Sequence, residues 1–574
     1  MIDRPHQIEA LDGLIPELAF LTMMDMKDAF KSIEEIEPKQ HILTTNEEKE
    51  PVTFRQAWDH PNPESRKKWQ EAIRKELHDM NNRKVWRKIK RNQIPQGRRC
   101  VKNKWVFKIK RNGTFRARLV ACGYSQVPGE DFSEHFAPVV HDITYRILLV
   151  AMIIWKLDAK IIDIVTTFLH GDLEEEIYMD CPDGLDHEQD KALLLLQTIY
   201  GLVQSARQFW KKLVKVLLEI GFEETGIDPC LLIKKTATSI VLIALYVDDM
   251  LCIGKSAEID QVIKDIKKYF DVKVEHELGD YLSCEIQFNE EKTAAWIGQP
   301  HLIDKLETTF GDLLHRMQEY VTPGTPGYTA MKPEEKDLIS KEKQSLYRTG
   351  VGMFLFLVKH TRPDIANASR ELSKLLSGAN EAAFKEMLRV AKYVLDTRTY
   401  GLKIEPKKLE SDKANWTMTM FSDSDFASDK ETRISVTGYI LFLMGVPIVW
   451  KSKSQRGVTL SSSEAEYVAL SEAAKEVKFV YQLLVSIGIN VKLPITIHVD
   501  NVGAIFIGEN TSTSGRTKHI DICYRFVKEY VDDKFIEIIF VGTKDNIADL
   551  FTKNTSGNVH NHLVDNFLGE RLYD

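Results

Sequence analysis

Acidic side chains set where water has little access are the groups in this 574-residue chain best suited to chemistry. Asp248 and Asp249 stand side by side after Ile240–Leu245, Tyr246 and Val247, and before Met250–Ile253 and Gly254. Two short apolar segments around an acidic tip predict a β-hairpin turning at Asp248-Asp249, since Asp tolerates the positive φ of tight turns. A solvated turn accounts for the pair as well. Its cost argues otherwise: two carboxylates about 4 Å apart repel by about 4 kcal/mol at an effective dielectric near 20, and apolar strands on both sides leave little water to relieve that. A divalent cation reverses the sign of the interaction. Phosphoryl transfer by two metal ions uses such a pair together with a carboxylate from elsewhere in the fold.

A second acidic set lies further on. From Trp416 the pattern reads strand, strand, strand, helix, strand, helix, strand, helix. Trp416–Phe421, Ser435–Met444 and Pro447–Lys451 are the first strands, and a helix starts at Ser463. Ile495–Val499 and Phe535–Val541 follow, then a final helix holding Asp549. Each acid has a plain use. Asp423 can be a turn residue after a strand. Glu466 can complete a Ser463-x-x-Glu466 capping box, although it also falls on the apolar stripe Ala469, Ala473, Val477, Val480, Leu484. Asp500 ends a strand, where open α/β sheets place ligands, and Asp549 suits a helix N-terminus. Four carboxylates at the ends of these elements together favour a Mg²⁺ site that activates water and stabilises a leaving oxygen.

The elements upstream are equally legible. Ser65–Asn81 is amphipathic through Trp69, Ile73, Leu77 and Met80, and Lys104–Lys110 with Thr114–Ala121 flank the turn Asn112-Gly113. Lys160–Val165 is an apolar segment carrying Asp163, and Phe209, Leu213, Val216, Leu217 and Ile220 mark a helix that stops at Gly221. Glu258–Phe270 and Gln299–Phe310 read as helices, Val321–Tyr328 as a Pro/Gly linker, and a helical region extends to about Leu395.

Length predicts about three to five folding units. The 43% hydrophobic and 28% charged content suits a soluble globular protein. No run reaches 18 apolar residues, so neither a membrane span nor a secretory signal is expected. Seven cysteines without a CxxC favour reduced thiols in an intracellular protein and argue against structural zinc. His560 and His562 are expected to be a surface feature. Net charge is −7, yet Arg83 to Arg118 holds fifteen Lys or Arg and no Asp or Glu, interleaved with Trp86, Trp105, Phe107 and Phe115. A solvated basic face would explain the block; counterion release and stacking on a polyanion explain the aromatics too.

These segments carry a resemblance. Tyr246-Val247-Asp248-Asp249 resembles the YxDD box of reverse transcriptases. Lys104–Lys108 with Arg116–Gln126 is similar to the fingers hairpin of copia-type retrotransposon polymerases, and Phe136–Val140 belongs to the same pattern. Asp163–Leu173 resembles the first palm motif, with Thr167 in place of alanine. Tyr200–Arg207 matches the segment whose glutamine is Gln204, with Ala206 in place of proline. Leu278–Ile286 resembles a shortened primer-grip segment, with Ser283 in place of glycine. Tyr347–Gly352 and Thr361–Ile365 match the connecting segment. Phe421–Asp425, Ser461–Tyr467, Val499–Asn501, Thr517–Asp521 and Ala548-Asp549 resemble the RNase H motifs, with Arg525 in the later histidine position. The chain is identified as a member of the copia-type (Pseudoviridae) LTR retrotransposon Pol polyproteins, in its reverse transcriptase plus RNase H region.

The resemblance implies a mixed α/β, multidomain α+β fold. An unspecified extension over 1–64 would precede right-hand polymerase fingers and palm over 65–295, then thumb and linker over 296–345. A connection segment over 346–412 and an RNase H-like domain over 413–574 would follow. It implies an RNA-directed and DNA-directed DNA polymerase in which Asp163, Asp248 and Asp249 hold Mg²⁺, with Mn²⁺ an alternative. Arg116 and Arg118 would clamp the triphosphate, Gln204 would orient the nucleotide, and Phe168 would exclude ribose, a core Phe being the other reading. Asp423, Glu466, Asp500 and Asp549 would bind metal and cut the RNA strand of a hybrid. The implied partners are an RNA template, a DNA primer, an RNA/DNA hybrid and dNTPs, with integrase or other Pol parts possible and no membrane. The implied location is cytoplasmic, in a virus-like particle, or nuclear. The departures at Thr167, Ala206, Ser283 and Arg525 keep two alternatives open: a catalytically impaired, nucleic-acid-binding remnant, or RNase H activity alone. Without a protease motif or complete integrase, a fragment or truncated reading frame is expected.

Overall fold

The computed structural model describes residues 50–109, 113–185, 190–236, 239–411, 414–509 and 518–573 and, within these, the side chains outside 506–524. Among the described residues one compact unit is drawn from 50–141 and Asp158–Glu277, the other from Asp142–Leu157 and 278–573. The chain therefore passes between units at 141/142, 157/158 and 277/278, and the five expected segments do not coincide one for one with compact units.

In the first unit, Asn62 caps the helix Pro63–Asn82 by accepting from the N–H groups of Glu64 and Ser65. Pro63 opens the helix where a missing N–H costs nothing. Trp69, Ile73, Leu77 and Met80 share its buried face and pack with Trp105, Phe107, Ala117 and Leu119 of the hairpin Asn103–Ile109/Phe115–Ala121. Strand alternation sends Lys104, Val106 and Lys108 outward. Trp86, Trp105 and Phe107, expected as stacking platforms, are instead core residues less than a tenth exposed; the period-2 pattern separates them from the basic side chains. The extension expected to be unspecified has structure at its end: Thr53 and Gln56 form a capping box for the helix Phe54–Trp58, and Ala57 is fully buried. Residues 1–49 and Asn112 lie outside the described residues.

The same unit holds a six-stranded antiparallel sheet. Its order is Val272–Glu275, Asp158–Ile164, Asp249–Gly254, Ile240–Tyr246, Leu231–Lys235, Glu223–Glu224. The strands that carry the acids are central and apolar, with Ile161, Ile162, Met250, Leu251 and Ile253 buried. The helix Ser256–Ile266 packs on both of them through its buried Ile259, Val262, Ile263 and Ile266. Ser205–Glu219 is the helix marked by Phe209 and Leu213.

The second unit contains two five-stranded sheets. In one, the order is Asp280–Tyr281, Cys284–Phe288, Ala295–Gly298, Tyr400–Ile404, Leu568–Glu570. The other runs Val446–Ser454, Val436–Leu443, Met418–Asp425, Ile495–Val499, Ile536–Phe540; its first three strands are antiparallel and its last two join in parallel. Helices Pro300–Leu314, Lys341–His360, Ala366–Ser373 and Glu381–Asp396 share a separate apolar core. The helix Asp142–Ile154 is buried along Ile143–Ile153. Its Arg146 donates to the carbonyls of Ile448 and Lys359 and lies 3.9 Å from the ring centre of Trp450.

A buried ion pair knits this unit. Arg362 grips Asp364 fork to fork, Nε–Oδ1 2.9 Å and Nη2–Oδ2 2.7 Å. Tyr393 donates to Asp364 Oδ2 at 3.0 Å, and the Tyr393 oxygen lies 3.0 Å from His560 Nε2. Of the two histidines expected at the surface, His562 is exposed but His560 is buried, and burial lowers its pKa to about 4. Tyr393 and Asp364, the neighbours of His560, come from distant sequence, which spacing could not show. Among the described residues all six cysteines are free, and no helix is long and apolar enough to cross a membrane.

Candidate functional site

The register of the six-stranded sheet brings the first acids together. Asp249 is directly opposed to Asp163, an arrangement that sets Cα atoms about 4.5–5.5 Å apart. On its other side Asp249 pairs with Tyr246, so the turn is Val247-Asp248 and the positive φ of 56° falls on Val247. The expected turn at Asp248-Asp249 is thus displaced by one residue, because pairing with Asp158–Ile164 draws Asp249 into the ladder. A β-branched residue held there costs about 1–3 kcal/mol. Burial first, then the charges of Asp248, Asp163 and Glu275, push the Asp249 carboxyl up to about 6. Every neighbouring charge named is negative, the condition a bound cation would relieve.

Arg116 and Arg118 lie on the strand Phe115–Ala121, both half-buried. The Arg118 guanidinium sits 4.6 Å from the ring centre of Tyr200, and Tyr200 meets Phe168 edge to face at 5.2 Å. Phe168 is half-buried rather than packed in the core. Glu76, whose Oε1 accepts from the Leu119 N–H, is pushed up to about 7 by burial against the opposing pull of Arg118 and Arg116. Gln204 has a different occupation from the one expected: it is 1% exposed, its Oε1 accepts from Gln126, and its Nε2 donates to the Asp131 carbonyl. It therefore braces the loop before the sheet, a role a motif match does not reveal. Thr167, in place of alanine, is buried with its hydroxyl donating to the Ile164 carbonyl at 2.7 Å.

In the second unit Asp423 lies inside the strand Met418–Asp425, not after it, and Asp500 follows its parallel neighbour Ile495–Val499. Asp549 lies in a 3₁₀ turn, Ile547–Phe551, rather than in the expected helix. Asn546 anchors that turn by accepting from the Ala548 N–H and donating to the Ser422 carbonyl. Gly438 makes room for it: a Cβ there would meet Thr552 Cγ2 at 2.6 Å and Phe551 Cβ at 2.9 Å. One carboxylate oxygen from each of Asp423, Asp500 and Asp549 lies within 4.8 Å of the others, the only such group of three among the described residues.

Glu466 joins them from the helix Ser462–Ser486. The N-cap is Ser461, whose hydroxyl accepts from the Glu464 N–H, while the Glu464 carboxylate accepts from the Leu460 N–H, so the expected Ser463–Glu466 box is not formed. Glu466 Oε1 instead accepts from the Ser424 N–H, while its Oε2 and Asp549 Oδ1 are buried without a partner. Burial, then Asp423 and Asp500, push Glu466 up to about 9. Burial, then Asp549, push Asp423 up to about 7. Asp549 is raised too, chiefly by burial. Hard oxygen donors, crowded like charges and two unused buried oxygens fit a hard divalent cation.

Two neighbours escaped sequence reasoning. Thr552 donates to Asp423 Oδ2, and Lys553 Nζ lies 3.0 Å from Asp549 Oδ2. Their spacing of three and four from Asp549 was the available signal. Arg525 is exposed on the helix Lys518–Asp532, whereas Thr517 and the side chains of His519 and Asp521 lie outside the described ones.

Residues 83–311, which hold the three acids of the first unit, match the family described as Reverse transcriptase (RNA-dependent DNA polymerase). The Retrovirus-related Pol polyprotein from transposon TNT 1-94 of Nicotiana tabacum is 30% identical over 531 residues, 90% of this chain and 39% of that protein. Its counterpart from transposon RE1 of Arabidopsis thaliana is 31% identical over 85% of this chain and 33% of its own length. Over most of its length the chain is similar to the Pol polyproteins of copia-type retrotransposons. It spans 39% and 33% of the length of these two relatives. The first unit holds Asp163, Asp248 and Asp249, and the second holds the sheet that carries Asp423. A solved foamy viral protease-reverse transcriptase in complex with dsDNA covers 83% of each chain at 14% identity and a TM-score of 0.43, too low to lay one backbone on the other.

Proposed function

We propose that this chain copies RNA or DNA templates from dNTPs in its first unit and cuts the RNA strand of RNA/DNA hybrids in its second. The observation that carries the copying reading is the direct pairing of Asp163 with Asp249 beside Asp248. These three acids would hold Mg²⁺ or Mn²⁺, and Asp423, Glu466, Asp500 and Asp549 would hold a second set. When bound, the ions supply charge neutralisation at the reacting phosphorus and lower the pKa of the attacking hydroxyl or water. The chain itself does the rest. Arg116 and Arg118 oppose the triphosphate charge, Phe168 occupies the space a 2′-hydroxyl would need, and the rigid palm fixes the acids before substrate arrives. In the second unit Lys553 and Thr552 orient Asp549 and Asp423. Recognition of a hybrid would rest on A-form shape and 2′-hydroxyls rather than on sequence.

A second reading, nuclease activity alone, is favoured by one contrast. Among the described residues only the nuclease acids have three oxygens gathered within 4.8 Å. Primer extension on RNA with Mg²⁺, run beside cleavage of a labelled hybrid, separates the two. Asp248→Asn is expected to abolish extension and spare cleavage, and Asp500→Asn to do the reverse. Cleavage without any extension by the unaltered chain would select the second reading.

A further inference from the structure

Tyr200 touches both groups to which nucleotide selection is assigned. One side of its ring faces the Arg118 guanidinium at 4.6 Å; Phe168 meets it at 5.2 Å with the ring planes 84° apart. Its backbone is held as tightly as its ring. The Tyr200 carbonyl accepts from the Ala121 N–H at 2.7 Å, on the strand that carries Arg116 and Arg118. Gly201 follows at a φ of 87°, where a Cβ would lie 2.1 Å from the Ala121 carbonyl oxygen. Only glycine permits that approach, so the fingers strand and the Tyr200 backbone move as one piece.

The phenol also feels the rest of the site. Burial raises its pKa, Arg118 and Arg116 pull it down, and Glu76 and then Asp248 push it up again. The ring thus stands within electrostatic reach of the clamp arginines and the acidic tip alike. Arg118 has one further property: its Nε is buried without a hydrogen-bond partner, so the ring face is its chief support on that side.

We propose that Tyr200 is a specificity-determining positioning residue, which couples the triphosphate clamp at Arg118 to the ribose gate at Phe168. The inference rests on the copying reading above and deepens it. The substrate class is a 2′-deoxyribonucleoside triphosphate. When the triphosphate draws Arg118 forward, the cation–π contact and the edge-to-face contact hold Tyr200 and Phe168 in the position that refuses a 2′-hydroxyl. Removing the ring would leave Phe168 free to turn and Arg118 unsupported, so selection for the sugar and affinity for the triphosphate fall together.

The test uses the full chain. Affinity for dATP and ATP is measured on a dideoxy-terminated primer annealed to RNA, and KM and kcat for dATP on an extendable one. Tyr200→Leu is expected to narrow the preference for dATP over ATP by about tenfold, the size of two lost ring contacts, and to raise the KM for dATP more than it lowers kcat. Tyr200→Phe, which keeps the ring, is expected to recover both. A Tyr200→Leu chain that keeps its sugar preference while kcat falls overturns the inference, as does a Tyr200→Phe chain as unselective as Tyr200→Leu. Loss of the copying reading looks different: the unaltered chain fails to extend, or Asp248→Asn extends as well as the unaltered chain, and both ideas then fall.

Discussion

Magnesium entering the cluster of Asp423, Glu466, Asp500 and Asp549 should drive protons out of it. Burial and crowded like charges hold Glu466 up to about 9 and Asp423 up to about 7, so the cluster retains protons at pH 7. Two of the carboxylate oxygens 4.8 Å apart would repel by about 3.5 kcal/mol at an effective dielectric near 20, so the cluster stays partly protonated until a cation arrives. Metal ligands must be deprotonated, and uptake at pH 7 is expected to release about one proton or more. Asp249 of the first unit, at about 6, has little left to release there. The stability sign follows from the same shifts. A carboxyl raised above its unfolded value, about 4.3 for Glu and 3.9 for Asp, stabilises the fold fully below that value. The contribution is lost as pH climbs through the folded one. Without Mg²⁺ the second unit should therefore lose stability between about pH 4 and pH 9, and Mg²⁺ should protect it increasingly over that range. Calorimetric titration of Mg²⁺ at pH 7 in two buffers of different ionisation enthalpy counts the protons. Glu466→Gln is expected to lower the count by about one. A chain that binds Mg²⁺ without releasing protons, or releases the same number after Glu466→Gln, refutes the assignment of Glu466 to the cluster.

Two further changes test the frame around the sites. Ser283 sits at a φ of 63° after Leu282 at 51° in the turn between Asp280–Tyr281 and Cys284–Phe288, so Ser283→Gly should stabilise by about 1 kcal/mol, seen as a higher urea midpoint. No rise would mean that serine is unstrained there. Arg362→Met strands the wholly buried Asp364 and should cost about 3–5 kcal/mol; adding Asp364→Leu should return part of that loss, and a double variant worse than the single one contradicts the pairing.

Much of this architecture could be read before any coordinates, and the misses share a cause. Helix Pro63–Asn82 and hairpin Asn103–Ile109/Phe115–Ala121 declare themselves through spacing within one segment. The displaced turn at Val247-Asp248 does not, because the register is set by a strand 85 positions away that pairs with Asp249. Glu466 was visible as an acid on an apolar stripe, but which serine caps its helix is decided by backbone geometry at Ser461. Gln204 shows the limit of motif matching, since both ends of its amide are taken by Gln126 and Asp131, residues the motif does not include. Lys553, Thr552 and buried His560 depend on what lies across the fold from them.

The helix Asp142–Ile154 has a bearing on modularity. It is encoded within residues 83–311, between the hairpin Asn103–Ile109/Phe115–Ala121 and the strand of Asp163, yet it belongs to the unit that carries the sheet of Asp423 and is pinned there by Arg146. A piece excised from residue 413 onward would leave that helix behind and bare the apolar side of Val446–Ser454 around Trp450. An exchange made at residue 413 would therefore part Trp450 from Arg146.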